Sequence, residues 1–128
     1  MNSNFRSEII SPKEIIFSSE VKEVVIPGIE GEMTILFEHI PLITFLRPGF
    51  ILINNNEENF FVEDGVVEFF ENNLTILSSK IKRFKEVTKD YISLVREKTL
   101  NQLKEENLND KEKYILNHKI EVLSNLNI

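Results

Sequence analysis

The chain has 128 residues, of which 41% are hydrophobic and 28% charged, and this composition is typical of one or two small folded domains rather than a disordered chain. It contains no cysteine, which excludes disulfides, thiol catalysis and cysteine-ligated zinc. The net charge is −6, with five basic against thirteen acidic side chains in residues 1–80 and ten against eight in residues 81–128, so we expect no nucleic-acid partner.

The beginning of the chain does not resemble a targeting segment. Residues 1–7 contain one arginine and no apolar stretch, whereas a secretory signal needs an apolar central region. Further along, no apolar run approaches the ~20 residues of a membrane-spanning helix. We therefore expect no secretory or transit peptide and no direct membrane insertion.

Residues 1–80 are predicted to form an antiparallel β-sandwich or barrel of about ten strands. Short runs rich in Ile, Val and Phe alternate with turn-forming Pro, Gly and Asn residues. The runs are Phe5–Ile10, Ile15–Ser18, Val21–Ile26, Met33–Phe37, Leu42–Leu46, Phe50–Asn54, Phe60–Glu63, Val66–Phe70 and Leu74–Leu77. No long helical pattern interrupts them, which argues against a parallel sheet with crossover helices.

After Ser79 the pattern changes from strands to helices. From Phe84 onward the chain has no Gly and no Pro. Apolar residues at spacings of three and four predict one helical face, which contains Phe84, Val87, Tyr91, Leu94, Val95 and Leu103. Between the strands and this helix, Lys80–Lys85 is predicted to be a basic, poorly periodic joint.

A polar stretch over residues 105–110 separates the first helix from a second. Asn109 or Asp110 is the predicted N-cap of the second helix. Its lysines, Lys119 among them, are predicted to face acidic neighbours, which leaves the helix nearly neutral. Two helices joined by a short polar loop predict an antiparallel hairpin, so the domains are residues 1–80 and residues 81–128.

The residues do not predict an active site, a cofactor or a metal. The two histidines, His39 and His118, stand apart in a strand-rich stretch and in mid-helix, where a lone histidine is more often structural. The four glycines stand singly at turns, so there is no phosphate-binding loop. Three acidic pairs are candidates for acid–base chemistry or a calcium loop, although solvated turn residues are the favoured interpretation: Glu30/Glu32, Glu57/Glu58 and Glu63/Asp64.

The stretch Val21–Ile53 contains several motifs in a defined order. They are Pro27-Gly28, Glu30-Gly31-Glu32, His39-Ile40-Pro41-Leu42 and Arg47-Pro48-Gly49. This order and spacing resemble the signature region of ATP synthase epsilon subunits, and the resemblance extends over nearly all of residues 5–80. Glu38 and Asp64 stand where the family usually has glycine, so the resemblance does not predict the backbone conformation at these two turns.

The resemblance implies a non-catalytic subunit in the central stalk, or rotor, of a bacterial F-type ATP synthase. In this family the sandwich packs one face on the gamma subunit and rests one end on the polar loops of the membrane rotor ring. The implied partners are gamma and the ring subunit, with the alpha/beta catalytic subunits as possible partners of the C-terminal helices. The implied location is peripheral, on the cytoplasmic side of the bacterial inner membrane.

The resemblance also implies contact residues. It places the turn Glu30, Gly31 and Glu32 toward the ring, together with His39, and exposed carboxylates on a glycine turn suit the polar, often basic ring loops. Pro41 and Leu42 complete the predicted ring or gamma contact.

In many members of the family the helical hairpin extends along gamma and inhibits ATP hydrolysis, so residues 81–128 are predicted to be regulatory, with weak inhibition. Some members bind ATP through an Asp and an Arg at the start of the first helix. Here Thr88 and Tyr91 stand at those positions, so we expect weak or absent ATP binding. From the residues alone a second hypothesis stays open: a free-standing β-sandwich that binds a small ligand or peptide, with a helical hairpin for dimerisation.

Overall fold

The computed structural model describes residues 3–126, which form two compact units that divide between Phe84 and Lys85. The first unit consists of strands and the second of helices, which confirms the predicted fold class. The strands are β1 (Phe5–Ile10), β2 (Ile15–Val21), β3 (Glu23–Gly28), β4 (Gly31–Leu36), β5 (Leu42–Leu46), β6 (Gly49–Ile53), β7 (Glu58–Val62), β8 (Gly65–Phe70), β9 (Asn73–Leu77) and β10 (Ile81–Arg83).

The strands form one curled sheet in the order β10-β7-β6-β3-β5-β8-β9-β1-β2, with β4 paired to β3. All these neighbours run antiparallel except β1 and β9, which pair in parallel from Arg6 with Asn73 to Ile10 with Leu77. The parallel pair of β1 and β9 is the one departure from the predicted antiparallel pairing among the strands that the structure describes. Strands β2 to β8 separate β1 from β9 along the chain, so no tight turn imposes the antiparallel direction.

Alternation along the strands sends every second side chain into one apolar core. In β1, for example, Phe5 and Ile9 are buried, and the rings of Phe5 and Phe69 meet edge to face with centroids 5.6 Å apart. Other fully buried members of the core include Ile26, Ile35, Ile51, Phe60, Leu74 and Ile76.

Arg83 joins the two ends of the sheet, β10 and β2, across a boundary that we call the seam. Its Nη1 donates to Oε1 of Glu58 over 2.9 Å, and its Nη2 donates to the carbonyl oxygen of Ile16 on β2 over 2.8 Å. The guanidinium also lies 5.0 Å from the ring centroid of Phe60. The side chain of Arg83 therefore links β10 to β2 at the seam, where the structure shows no backbone pairing between these two strands.

The segment predicted as a joint is part of the first unit. Ile81–Arg83 pairs with β7, and Ile81 packs partly buried against the core. Phe84 begins a turn of 3₁₀ helix, and its ring lies 5.4 Å from that of Phe50 in the sandwich. The predictions of an irregular joint and of Phe84 on the first helical face are wrong, because both segments gain their order from distant strands that the local pattern does not reveal.

The second unit contains α1 (Lys89–Leu103) and α2 (Asp110–Ser124). Thr88 caps α1, since its Oγ1 accepts a hydrogen bond from the backbone nitrogen of Tyr91 over 3.1 Å. Asn109 caps α2 as predicted, in a reciprocal capping box with Glu112. In α1 the buried positions are Val95 and Thr99, whereas Leu94, predicted on the apolar face, is exposed.

The turn between β6 and β7 depends on Asn54. Asn54, Asn55 and Asn56 all have left-handed backbone, with φ of 50°, 56° and 72°, a region that asparagine tolerates better than most residues. Oδ1 of Asn54 accepts hydrogen bonds from the backbone nitrogens of Lys22 over 2.7 Å and Glu23 over 3.3 Å. The side chain thus ties this turn to the start of β3.

We expect Asn54→Ala to lower the free energy of unfolding by about 2–3 kcal/mol, because alanine loses both hydrogen bonds and is strained at positive φ. Asn54→Gly tolerates the conformation and loses only the hydrogen bonds, so we expect a loss of about 1–2 kcal/mol. Urea denaturation of the full chain measures both changes. An alanine variant whose free energy of unfolding lies within about 0.5 kcal/mol of the wild-type value contradicts this role, because a single hydrogen bond contributes at least about that much.

Candidate functional site: docking surfaces of the sandwich

The predicted residues Glu30, Gly31 and Glu32 lie at the tip of the β3–β4 hairpin. Gly28 and Gly31 face each other across a two-residue turn, and Gly31 has a φ of +140° that side chains rarely adopt. A Cβ on Gly28 would lie 2.7 Å from the carbonyl oxygen of Gly31. Both glycines are therefore required by the turn, which leaves Glu30 and Glu32 exposed on a well-defined tip. We call these three residues, Glu30 to Glu32, the acidic tip.

The predicted residues His39, Pro41 and Leu42 lie on or just after the loop between β4 and β5. The ring of His39 stands edge to face with Phe69 at 5.8 Å, and its Nδ1 lies 2.8 Å from the carbonyl oxygen of Ile40. Pro41 is exposed, whereas Leu42 begins β5 and packs partly buried against the core. These contacts give His39 and Leu42 structural partners within the sandwich.

Glu38 holds this loop in place although it stands where a glycine is usual in the resembling family. It has a φ of 67°, the left-handed conformation that favours glycine. Asn72 compensates: its Oδ1 accepts from the backbone nitrogen of Glu38 over 2.7 Å, and its Nδ2 donates to Oε1 of Glu38 over 3.1 Å. Asp64, the other departure, has no positive φ and therefore no need of glycine.

The structure separates the two groups of predicted contact residues. The acidic tip lies at the start of β4, since Gly31 and Glu32 are the first two residues of the strand, whereas His39 follows its last residue, Leu36. Six residues of strand span about 17 Å at a rise of about 3.3 Å per residue. The prediction that the tip and His39 lie toward the same end is wrong, because one continuous strand carries them to opposite ends of the sandwich.

A surface that the sequence did not predict runs across the outer face of β5, β8, β9, β1 and β2. Strand register places one apolar side chain of each strand side by side: Phe45, Val66, Leu77, Ile10 and Ile15. We call these five residues the outer row. Phe45, Leu77 and Ile15 are 60%, 47% and 59% exposed.

The outer row begins beside the acidic tip. The backbone nitrogen of Ile29, in the hairpin turn, donates to the carbonyl oxygen of Phe45 over 2.8 Å. The sequence contains one signal of this surface: β5 and β8 have apolar residues at both odd and even positions, as in Ile43, Phe45 and Leu46. A strand whose outer face met only water would alternate with polar residues.

The acidic pairs at other turns do not assemble a further site. Glu58 forms the ion pair with Arg83 already described, and the carbonyl oxygen of Asp64 accepts from Oγ of Ser78 over 2.7 Å. Within residues 3–126 no group of three or more His, Cys, Asp or Glu side chains is arranged to hold a metal ion. Over the same residues, neither helix has the length and apolarity to cross a membrane.

Comparison with known proteins gives concordant matches. Residues 4–84 match the family described as ATP synthase, Delta/Epsilon chain, beta-sandwich domain. The ATP synthase epsilon chain of Pelagibacter ubique is 44% identical over 99% of this chain and 100% of its own length. That of Bordetella avium is 38% identical over 82% of this chain and 75% of its own length.

Two solved structures share the fold. A chain of the Euglena gracilis mitochondrial ATP synthase, in a structure of OSCP, F1 and c-ring, has a TM-score of 0.73 at 15% identity and covers 97% of this chain and 81% of its own. A chain of the Tetrahymena thermophila mitochondrial ATP synthase, in a structure of the central stalk and c-ring, has a TM-score of 0.65 at 16% identity and covers 93% and 92%. The matched family domain and the full-length relative together establish that this chain belongs to the ATP synthase epsilon chain family.

Proposed function

We propose that this protein is a central-stalk subunit of an F-type ATP synthase, that its outer row docks on the gamma subunit, and that its acidic tip meets the rotor ring. Membership of the epsilon chain family supports the assembly, and the Tetrahymena relative was solved in a structure of central stalk and c-ring. The observation that carries the docking proposal is the outer row, an apolar band across five strands in which Phe45, Leu77 and Ile15 are exposed.

The size and chemistry of the outer row suit a protein partner. Five strands at a spacing of about 4.8 Å give the row a length of about 19 Å. Contiguous exposed apolar surface is unfavourable in water and marks interaction sites in proteins. Phe45 is the best candidate for an anchor, since large aromatic side chains dominate the binding energy of interfaces. Gamma is the proposed partner because a rotor subunit must be held firmly by the shaft that turns it.

The acidic tip fixes where the sandwich meets the ring more than it strengthens the binding. Glu30 and Glu32 are exposed, and an exposed ion pair contributes only ~0–1 kcal/mol. A rigid two-residue turn nevertheless fixes where the charges stand, so the tip can select polar, basic loops on the ring. His39 and Leu42 belong to the opposite end and have internal contacts, so we assign them to the fold rather than to the ring contact, and only Pro41 stays available to a partner.

We assign no reaction to this chain, because it belongs to a family named as a subunit and its candidate groups have structural partners. Oε1 of Glu58 bonds to Arg83, and His39 packs on Phe69. Weak or absent ATP binding stays a prediction, and Thr88, which stands at the position of the family's ATP-binding Asp, caps α1. Inhibition of ATP hydrolysis by the hairpin, contact with alpha/beta, and the cytoplasmic side of the inner membrane also stay proposals from family membership.

The alternative of a free-standing sandwich that dimerises through its hairpin is not favoured. A relative with 44% identity over its full length is an ATP synthase epsilon chain, and the outer row lies on the sandwich rather than on the hairpin. A free-standing module would leave that apolar band in water.

Co-purification from native membranes distinguishes the two functions. We expect a tagged full-length chain, recovered from detergent-solubilised membranes of its own organism, to carry gamma and the ring subunit in constant ratio. A wash at high salt is the control, because it removes proteins held only by surface charge and should leave gamma bound through apolar contacts. Recovery of the tagged chain as a dimer free of gamma would refute the proposed function.

A further inference from the structure

We propose that the segment of the partner that covers the outer row carries two cationic side chains, lysine or arginine, about 10 Å apart, which pair with Glu68 and Glu8. This inference rests on the proposed docking of the outer row on gamma and specifies the chemistry that gamma must present there. Glu68 and Glu8 belong to the row of residues next to the outer row, which we call the second row.

Strand register defines the second row. Moving two residues along β5, β8, β9 and β1, and three along β2 because its register with β1 shifts there, gives a second set that is again side by side: Ile43, Glu68, Thr75, Glu8 and Ser18. Glu68 and Glu8 flank Thr75 on β8 and β1, so their positions are two strand spacings, or about 10 Å, apart. The sandwich therefore presents an apolar band bordered by two carboxylates on one rigid sheet.

Neither carboxylate has a partner within residues 3–126. Glu68 is exposed and Glu8 half-buried, and neither forms a hydrogen bond or ion pair through its side chain there. Arg6 lies two residues before Glu8 on the same face of β1, and its Nη2 donates to Oγ of Ser18 rather than to Glu8. Glu58 is satisfied internally, whereas Glu20, opposite Arg6 on the same face, is also exposed; Glu8 and Glu68 are the two carboxylates that lie in the second row itself, directly beside the outer row.

The two carboxylates of the second row restrict the kind of partner that can cover this face. A second copy of this chain would bring the same two carboxylates against the face, and like charges across an interface are unfavourable. A membrane surface rich in anionic lipid would meet the same repulsion, and the whole chain has a net charge of −6. A protein segment with an apolar stripe bordered by Lys or Arg satisfies both rows at once.

The experiment measures the affinity of the full-length chain for the purified gamma subunit of the same organism, by titration calorimetry at 50 mM and 500 mM NaCl. The test variant is Glu8→Gln with Glu68→Gln, which removes the charges and keeps the shape. The control is Glu57→Gln with Glu71→Gln, which changes the net charge by the same amount. Both control residues are exposed, and they lie in turns at the same end of the sandwich as the loop between β4 and β5. We expect the test variant to bind about tenfold more weakly at 50 mM NaCl.

The salt dependence separates ion pairing from loss of structure. At 500 mM NaCl the difference between wild type and test variant should shrink to less than about twofold, because screening weakens the exposed pairs. A test variant that binds as tightly as the wild type at 50 mM NaCl, while the wild type binds gamma, overturns the cationic partner and leaves the proposed function standing. A wild-type chain that does not bind gamma at either salt concentration, or that binds only itself or anionic vesicles, overturns both.

Discussion

A chain that ends at Lys80 is expected to be less stable than one that ends at Glu86 by about 3–5 kcal/mol, although the sequence places the domain boundary at Lys80. The shorter chain lacks β10, the 3₁₀ turn and the seam contacts of Arg83. It also uncovers Phe60 and Val62, which are fully buried on β7. Because small domains have a total stability of only about 5–15 kcal/mol, this loss is a large fraction of it.

The two truncated chains are compared by urea denaturation followed by circular dichroism. Both lack the helices, so the comparison isolates residues 81–86. Arg83→Met in the longer chain is the matched control, since it keeps β10 and an apolar stem while it removes the guanidinium. We expect this variant to lose about 2 kcal/mol, the contribution of its charged hydrogen bonds. A chain ending at Lys80 that unfolds at the same urea concentration as the chain ending at Glu86 would show that the seam contributes nothing.

The second large effect is expected at the outer row. Phe45→Ser combined with Leu77→Ser is expected to weaken binding to gamma at least about 100-fold, or about 2.7 kcal/mol. Both side chains are about half exposed, and the serines would stand on an outer face of the sheet that is already in water in the isolated chain. The thermal midpoint of the isolated chain is therefore expected to change little, whereas the apolar contact with the partner is lost.

The control is Leu36→Ser with Ile40→Ser, which changes two exposed apolar residues, one at the end of β4 and one in the loop that follows it. We expect this variant to bind gamma within about threefold of the wild type, since scattered rim contacts contribute little. Surface plasmon resonance with immobilised gamma measures both variants. If the control loses binding and the Phe45 and Leu77 variant keeps it, the docking surface lies at the loop of His39 and the assignment of the outer row is wrong.

Local pattern was sufficient for most of the strands and for both helices. Residues 1–77 alternate apolar runs with turn residues that tolerate positive φ, and the structure uses them so at Gly31, Asn54 and Asn72. The N-cap at Asn109 also followed from residue type, because a side-chain acceptor before an apolar helix satisfies a free backbone nitrogen. Such features depend on neighbours in the sequence, which is why the sequence reveals them.

Features that depend on distant residues escaped the pattern. Glu38 adopts a conformation that favours glycine because Asn72, 34 residues away, bonds both its backbone and its side chain. Lys119, predicted from the charge pattern to face an acidic neighbour, is only 7% exposed, since the long apolar stem of lysine can be buried. The charge of a residue therefore does not reveal how deeply its side chain is buried.

By itself, the sequence determined the sandwich, the hairpin and the epsilon-chain family, because periodicity, turn-forming residues and ordered motifs depend only on the order of residues in the chain. The tertiary structure alone decided that the acidic tip and His39 stand at opposite ends, that Arg83 closes the sheet, and that Phe45 and Leu77 belong to one surface. Alternation along a strand shows which of its side chains share a face, but it does not show which other strand lies next to that strand in the sheet. That pairing depends on the register of segments far apart in the chain, and only the folded sheet fixes it.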